Sequence, residues 1–183
     1  AEDGIRDLVR SRGLGDVYKR QSLKDVNAAT LGSVVMKEAI KRAGIDASII
    51  DDVRFGCCME PADTLNVTRV AQLLAGIPES ITAVTINRVC ISGMEAVISG
   101  MAMIQAGMAD VILAGGMEHM SGVAYSAPGA RWGYRLQDQV LVDNLIRALH
   151  CGSHIIPGPE KGPLKEGPLI DMYRGKPYIM GLT

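Results

Sequence analysis

Apolar residues recur along this chain at two spacings, and these spacings predict an alternation of helices and strands. Four segments place apolar residues three and four positions apart, which predicts helices at 28–43, 64–75, 91–106 and 140–149. Short apolar runs between them predict strands at 53–56, 81–87 and 110–114. Since helices and strands alternate, the predicted class is α/β, with a mostly parallel mixed sheet and flanking helices.

The first predicted helix is amphipathic, and Gly44 follows it where a left-handed residue commonly ends a helix. Its apolar stripe consists of Leu31, Val34, Val35, Ala39 and Ile40. In the helix at 91–106 the residues at helical spacing are Met94, Val97, Ile98, Met101 and Ile104. Stripes of this kind predict the faces on which helices pack.

The composition of the sequence changes after residue 120. Residues 121–178 are rich in Gly, Pro and charged side chains, and they include the single Trp of the chain. An irregular segment of this length is usually functional or forms a separate lobe. An irregular loop subdomain is therefore predicted after the α/β core.

Composition and charge exclude several classes of function. The 183 residues suffice for one domain with a core, and a net charge of −1 indicates neither a nucleic-acid groove nor a membrane surface. No apolar run reaches the roughly 18 residues of a membrane span. The cysteines Cys57, Cys58, Cys90 and Cys151 have no spacing typical of a disulfide framework, so a reducing cytoplasm is the expected location.

Cys90 lies between a predicted strand and a predicted helix. The first N–H groups and the dipole of a helix favour negative charge, and such an environment lowers the pKa of a thiol. A thiolate at this turn is well placed to accept an acyl group as a nucleophile. The alternative is a small buried apolar residue, as most free cysteines are. Spacing alone leaves both interpretations open.

Three segments carry motifs in a consistent order. They are Asn-Val-Thr-Arg at 66–69 with Gly at 76, Asn-Arg-Val-Cys-Ile-Ser-Gly-Met-Glu-Ala at 87–96, and Gly-Gly-Met-Glu-His-Met-Ser at 115–121. Together they resemble the thiolase family, whose nucleophile segment is Asn-x-x-Cys-x-Ser-Gly-x-x-Ala and whose following segment is Gly-Gly-x-Glu-x-Met-Ser. The resemblance covers residues 22–183 and implies a thiolase-like N-terminal domain.

The resemblance implies an acyltransferase. Thiolases make or cleave 3-oxoacyl-CoA by reversible Claisen condensation through an acyl-cysteine, and Cys90 takes the position of that cysteine. Acyl-CoA and CoA are substrates, so no separate cofactor or metal is implied, and the full-length protein is expected to be a homodimer or homotetramer. By position, Met180, Ile179 and Leu169 would contact the substrate, with Ile179 standing where the family has His.

Other catalytic segments of the family are absent from these 183 residues. They are an Asn-Glu-x-Phe segment, a Gly-His-Pro histidine and a Cys-x-Gly cysteine, so the 183 residues alone are expected to be inactive. A non-catalytic thiolase-like subunit that binds acyl-CoA or scaffolds a partner is the alternative function. A ketoacyl-synthase relative, which shares the architecture and a cysteine nucleophile, is a third hypothesis. The intact motif around Cys90 favours the thiolase.

The resemblance also divides the chain into three parts. Residues 1–21 lack the opening strand of the family, and residues 10–21 resemble translated sequencing-adapter sequence. A foreign leader is therefore expected at 1–21, with a genuine solvated arm as the alternative. Residues 22–120 would form the α/β core without its opening strand, and residues 121–183 a truncated loop subdomain that covers the acyl-CoA.

The remaining candidate residues are assigned structural roles. Glu118 and His119 are expected to make structural hydrogen bonds, and Cys57 and Cys58 to pack at a strand end. A metal site formed by these cysteines with the histidines and cysteine of residues 150–154 is not predicted, because the spacing is not a zinc pattern.

Overall fold

A computed structural model of the chain describes residues 23–136 and 138–149, which belong to two compact units divided between Gly122 and Val123. The first unit contains α1 (Ala28–Ala43), β1 (Asp52–Gly56), α2 (Val67–Ala75), β2 (Thr82–Ile86), α3 (Ser92–Gln105) and β3 (Ile112–Gly116). The second contains β4 (Tyr125–Ser126), β5 (Val142–Asp143) and α4 (Asn144–Leu149). Short 3₁₀ turns occur at Ala47–Ile49, Met120–Gly122 and Ala130–Trp132.

A three-stranded parallel sheet forms the centre of the first unit. Its order is β2-β1-β3, so β1 has a parallel neighbour on each side. Asp52 at the start of β1 pairs with Thr82 in β2 and with Ile112 in β3. Helix α2 connects β1 to β2, and α3 connects β2 to β3. Parallel strands joined through helices confirm the predicted α/β class.

Helix α1 packs through a face that matches the predicted one only in part. Its buried residues are Ala28, Ala29, Gly32, Ser33 and Met36. Of the predicted stripe, Ile40 packs against the core, whereas Val34 and Val35 are exposed. A Cβ on Gly32 would lie 3.1 Å from the Cβ of Ala71 in α2 and would collide with the sulfur of Met117. The prediction was wrong for Val34 and Val35, because α1 approaches α2 closely at Gly32, a residue that an apolar stripe does not mark.

Helix α3 contacts the sheet through its smallest residues. Ser92, Ala96 and Gly100 are buried, and a Cβ on Gly100 would lie 3.1 Å from Cγ2 of Ile112 in β3. The longer apolar side chains take the outer face and are exposed: Met94, Val97, Ile98, Met101 and Ile104. Close approach of the helix backbone to the sheet requires this arrangement. Within the part of the chain that the structure describes, no helix is long and apolar enough to cross a bilayer.

The bounds of β3 and α2 differ from the predicted ones by two or three residues. β3 begins and ends two residues later than predicted, because Gly115 and Gly116 pair with the last two residues of β1. α2 begins three residues later than predicted, because Asn66 caps it by accepting the N–H of Arg69 at 3.3 Å.

The second unit contains a short antiparallel pair, β4 with β5. The helix predicted at 140–149 begins only at Asn144, since Val142 and Asp143 belong to β5. The carboxylate of Asp143 caps α4 by accepting the backbone N–H groups of Leu145 at 2.9 Å and Ile146 at 3.2 Å. A capping carboxylate therefore sets the start of α4.

Candidate active site

The carboxyl ends of the three parallel strands bring together residues that are distant in sequence. Asn87 follows β2, Cys58 follows β1 and Glu118 follows β3. The side-chain amide of Asn87 donates a hydrogen bond of 2.9 Å to the carbonyl oxygen of Cys58. The carboxylate of Glu118 accepts the backbone N–H groups of Cys58 at 2.8 Å and Met59 at 3.0 Å. All three strand ends are thus joined around residues 58 and 59.

Glycines allow α3 to begin directly on this edge of the sheet. A Cβ on Gly56 would lie 2.7 Å from the carbonyl oxygen of Ser92 and would collide with the backbone of Ser92 and Gly93. A Cβ on Gly116 would lie 3.4 Å from the Cα of Gly93. The first turn of α3 therefore rests on the ends of β1 and β3, where glycine backbone leaves room for it.

The turn that carries Cys90 has a strained backbone. Val89 has a φ of 54°, in the left-handed region that β-branched residues rarely adopt. The side chain of Asn87 accepts the N–H of Val89 at 3.0 Å, and the hydroxyl of Ser92 donates to the Val89 carbonyl at 2.6 Å. The same hydroxyl accepts the N–H of Arg88 at 2.9 Å. These bonds hold a conformation that costs about 1–3 kcal/mol.

Cys90 itself is exposed, immediately before α3. The interpretation of Cys90 as a small buried residue is therefore wrong. Ile91, at the N-cap position of α3, makes no side-chain capping hydrogen bond. Backbone N–H groups at such a helix end stabilise negative charge on a nearby thiolate or oxyanion. The arrangement is chemically suited to the formation of a thioester on the Cys90 sulfur.

The two neighbouring thiols have a different environment. Cys57 is buried and its thiol donates to Glu118 at 3.6 Å; burial and the charge of Glu118 raise the pKa of Cys57 to about 12. The pKa of Cys58 is also raised, first by burial and then by the charges of Glu118 and Cys90. Both thiols therefore stay protonated at neutral pH, and neither is activated as a thiolate to attack the thioester of an acyl-CoA.

The motif at residues 66–76 fixes α2 against β2, the strand that leads into the site. The side-chain amide of Asn66 donates to the carbonyl oxygen of Ala83 at 3.1 Å. The guanidinium of Arg69 donates to the carbonyl oxygen of Ile81 at 2.6 Å. Gly76, with a φ of 80°, ends the helix in the left-handed conformation that glycine adopts without a steric penalty. The three motif residues thus have structural roles.

The structure describes some of the other predicted site residues and not the rest. Nε2 of His119 lies 2.9 Å from the carbonyl oxygen of Lys24, which agrees with a structural hydrogen bond. Among the described residues, no group of three or more His, Cys, Asp or Glu side chains is arranged to hold a metal ion. The predicted substrate contacts Leu169, Ile179 and Met180 lie outside the described residues, as do residues 150–154.

The sequence motif does not by itself predict the bonds that hold the Cys90 turn. A signal for them exists, because an Asn and a Ser flanking a predicted turn, here Asn87 and Ser92, are typical of local side chain–backbone bonds. The left-handed conformation of Val89 has no sequence signal, because valine disfavours it. The link from Asn87 to Cys58 joins two strands whose order the sequence does not give.

The fold and the site define an α/β domain that presents an exposed cysteine beside the carboxyl ends of parallel strands. A family model described as the thiolase N-terminal domain matches residues 14–156. The chain therefore belongs to the thiolase family, and the part that it matches is the N-terminal domain.

Individual relatives agree with this assignment. The chain is 52% identical over 164 residues to the acetyl-CoA acetyltransferase of Syntrophomonas wolfei, with 88% of this chain and 36% of the relative covered. It is 42% identical over 137 residues to the beta-ketothiolase BktB of Cupriavidus necator, with 74% and 34% covered. The crystal structure of the Bacillus anthracis acetyl-CoA acetyltransferase matches with a TM-score of 0.67 at 40% identity, with 70% and 32% covered. The chain thus spans about a third of the length of these relatives.

Proposed function

We propose that this chain is the N-terminal part of a thiolase, an acyltransferase that condenses acyl-CoA or cleaves 3-oxoacyl-CoA through an acyl-cysteine on Cys90. The observation that carries the proposal is the position of Cys90, exposed before α3 on a turn that Asn87 and Ser92 fix. The acetyltransferase and ketothiolase names of the relatives support the reaction class.

In the proposed first half-reaction, the sulfur of Cys90 attacks the thioester carbonyl of acyl-CoA, and CoA leaves as its thiol. Backbone N–H groups at the start of α3 would stabilise the oxyanion that forms on the carbonyl oxygen. In the second half-reaction a base removes an α proton from another acyl-CoA, and the resulting carbanion takes the acyl group from Cys90. Cleavage of 3-oxoacyl-CoA by CoA is the reverse sequence.

The base is not among the motifs of these 183 residues, which contain neither Gly-His-Pro nor Cys-x-Gly. A nucleophile without its base loses most of its rate. We therefore propose that residues 1–183 do not turn over alone and that the base belongs to the length of the relatives that this chain does not span. The proposed substrates are acyl-CoA and CoA, with no further cofactor, and the proposed setting is a cytoplasmic homodimer or homotetramer.

Thiolysis of acetoacetyl-CoA tests the proposal with two proteins, residues 1–183 and the same residues joined to the C-terminal part of the Syntrophomonas relative. We expect turnover only from the joined protein. A turnover of about 1–10³ s⁻¹ by residues 1–183 alone would refute the proposed division of catalytic groups. A joined protein that folds and binds acyl-CoA without turnover would favour the non-catalytic subunit instead.

A further inference from the structure

Cys58 and Cys90 lie in adjoining loops at the carboxyl edge of the sheet, and the proposed acyl transfer uses only Cys90. Cys58 stands two residues after Gly56, and Cys90 stands two residues before Ser92. Gly56 and Ser92 are in direct backbone contact, since a Cβ on Gly56 would lie 2.7 Å from the carbonyl oxygen of Ser92. The loop that carries Cys58 and the turn that carries Cys90 therefore both adjoin the contact between Gly56 and Ser92.

A single side chain also bridges the two loops. The amide of Asn87 donates to the carbonyl of Cys58 at 2.9 Å and accepts the N–H of Val89 at 3.0 Å. Val89 is the residue before Cys90, so the Asn87 amide links the backbone of Cys58 to the backbone next to Cys90. The thiols are close enough to interact electrostatically, because the charge of Cys90 contributes to the raised pKa of Cys58.

We propose that Cys58 and Cys90 form a redox-active thiol pair that a peroxide converts to a disulfide. In the first step the Cys90 sulfur attacks one oxygen of hydrogen peroxide, which gives a sulfenic acid on Cys90 and releases water. In the second step the Cys58 sulfur attacks the Cys90 sulfur and the S–O bond breaks. The proton of Cys58 leaves with that oxygen as water. Two thiols and one peroxide thus give one disulfide and two waters.

Exposure and hydrogen bonding decide which cysteine takes each role. Cys90 is exposed and meets the oxidant first, whereas Cys58 is half-buried and Cys57 is buried. The thiol of Cys57 donates to Glu118 at 3.6 Å, so we assign the attack on the sulfenic acid to Cys58. The pair does not depend on the proposed function, since it requires only that an exposed Cys90 lies beside Cys58.

The pair has two consequences. The disulfide occupies the sulfur that the proposed acyl transfer needs, so oxidation would stop that reaction reversibly. It also protects Cys90, because a sulfenic acid without a neighbouring thiol proceeds to sulfinic acid, which ordinary reductants do not reverse.

Peptide mapping of residues 1–183 after treatment with hydrogen peroxide tests the pair. Trypsin places Cys58 in the peptide 55–69 and Cys90 in the peptide 89–131. We expect these two peptides to be joined by a bond that dithiothreitol breaks, in protein that runs as a monomer on a non-reducing gel. Cys57 shares the peptide 55–69, so the variants Cys57→Ser and Cys58→Ser decide which cysteine is joined. The bond should persist in Cys57→Ser and be lost in Cys58→Ser, where Cys90 should accumulate as sulfinic acid.

Several outcomes would overturn the pair. One is a joined peptide that persists in Cys58→Ser and disappears in Cys57→Ser. Another is a bond from Cys90 to the peptide 148–161, which contains Cys151. A third is wild-type protein in which Cys90 becomes sulfinic acid as fast as in Cys58→Ser, with no joined peptide. If protein that carries the disulfide were still acylated, the proposed function of Cys90 would be contradicted. The proposal of a thiol pair would stand.

Discussion

Gly56 at the end of β1 touches the backbone of Ser92 at the start of α3, with 2.7 Å between a Cβ built on Gly56 and the Ser92 carbonyl oxygen. Because backbone rather than a flexible side chain fills this space, Gly56→Ala must push α3 away from the sheet. We expect the free energy of unfolding to fall by about 1–3 kcal/mol, the usual cost of overpacking. Chemical denaturation of the variant and the wild-type protein measures this difference.

Gly93 provides a matched control for that substitution. It lies next to Ser92 in the same motif, but its Cβ would meet only the carbonyl oxygen of Gly115 at 3.8 Å and the Cα of Gly116 at 3.9 Å. Gly93→Ala should therefore leave stability unchanged or raise it, since alanine is favoured over glycine inside a helix by about 1 kcal/mol. Equal losses in both variants would show that the Gly56 contact does not limit the packing of α3.

Glu118→Gln is expected to weaken the loop after β1. The carboxylate accepts the N–H groups of Cys58 and Met59 with separate oxygens, and a glutamine would turn its NH₂ group toward one of these donors. The expected loss is about 1–2 kcal/mol of unfolding free energy. Glu38→Gln is the control, because Glu38 forms an exposed ion pair with Arg42 at 2.7 Å within α1. Such pairs contribute about 0–1 kcal/mol, so a larger loss in the control would contradict this account.

Cys57 should make stability depend on alkaline pH. Its pKa is about 12 in the folded protein, against an ordinary value of 9.0, so the unfolded chain loses the proton first. The stabilisation is complete below pH 9 and is lost as pH rises toward 12, with a slope of up to about 1.4 kcal/mol per pH unit. Cys57→Ser keeps a donor for Glu118 and does not titrate, so its unfolding free energy should fall less steeply in this window. Parallel curves for the two proteins would mean that the thiol titrates normally.

Between residues 23 and 122, sequence periodicity located the α-helices and strands that the structure describes, because each of them carries enough apolar residues at its own spacing. It failed on the buried faces of α1 and α3. Gly32 and Gly100 lie at their closest contacts, and glycine contributes nothing to an apolar stripe. The motif around Cys90 located the candidate nucleophile. The bonds from Asn87 and Glu118 to residue 58 could not be predicted, because they depend on the order of strands that are far apart in sequence.

The identity of the acyl-accepting residue is the central claim, and trapping the acyl-enzyme tests it directly. The protein completed with the C-terminal part of the Syntrophomonas relative is mixed with acetyl-CoA, quenched in acid and digested for mass spectrometry. We predict an acetyl group on the peptide 89–131, its loss in Cys90→Ala, and its retention in Cys58→Ser. An adduct that forms at the wild-type rate in Cys90→Ala, or that maps to the peptide 55–69, would contradict the account.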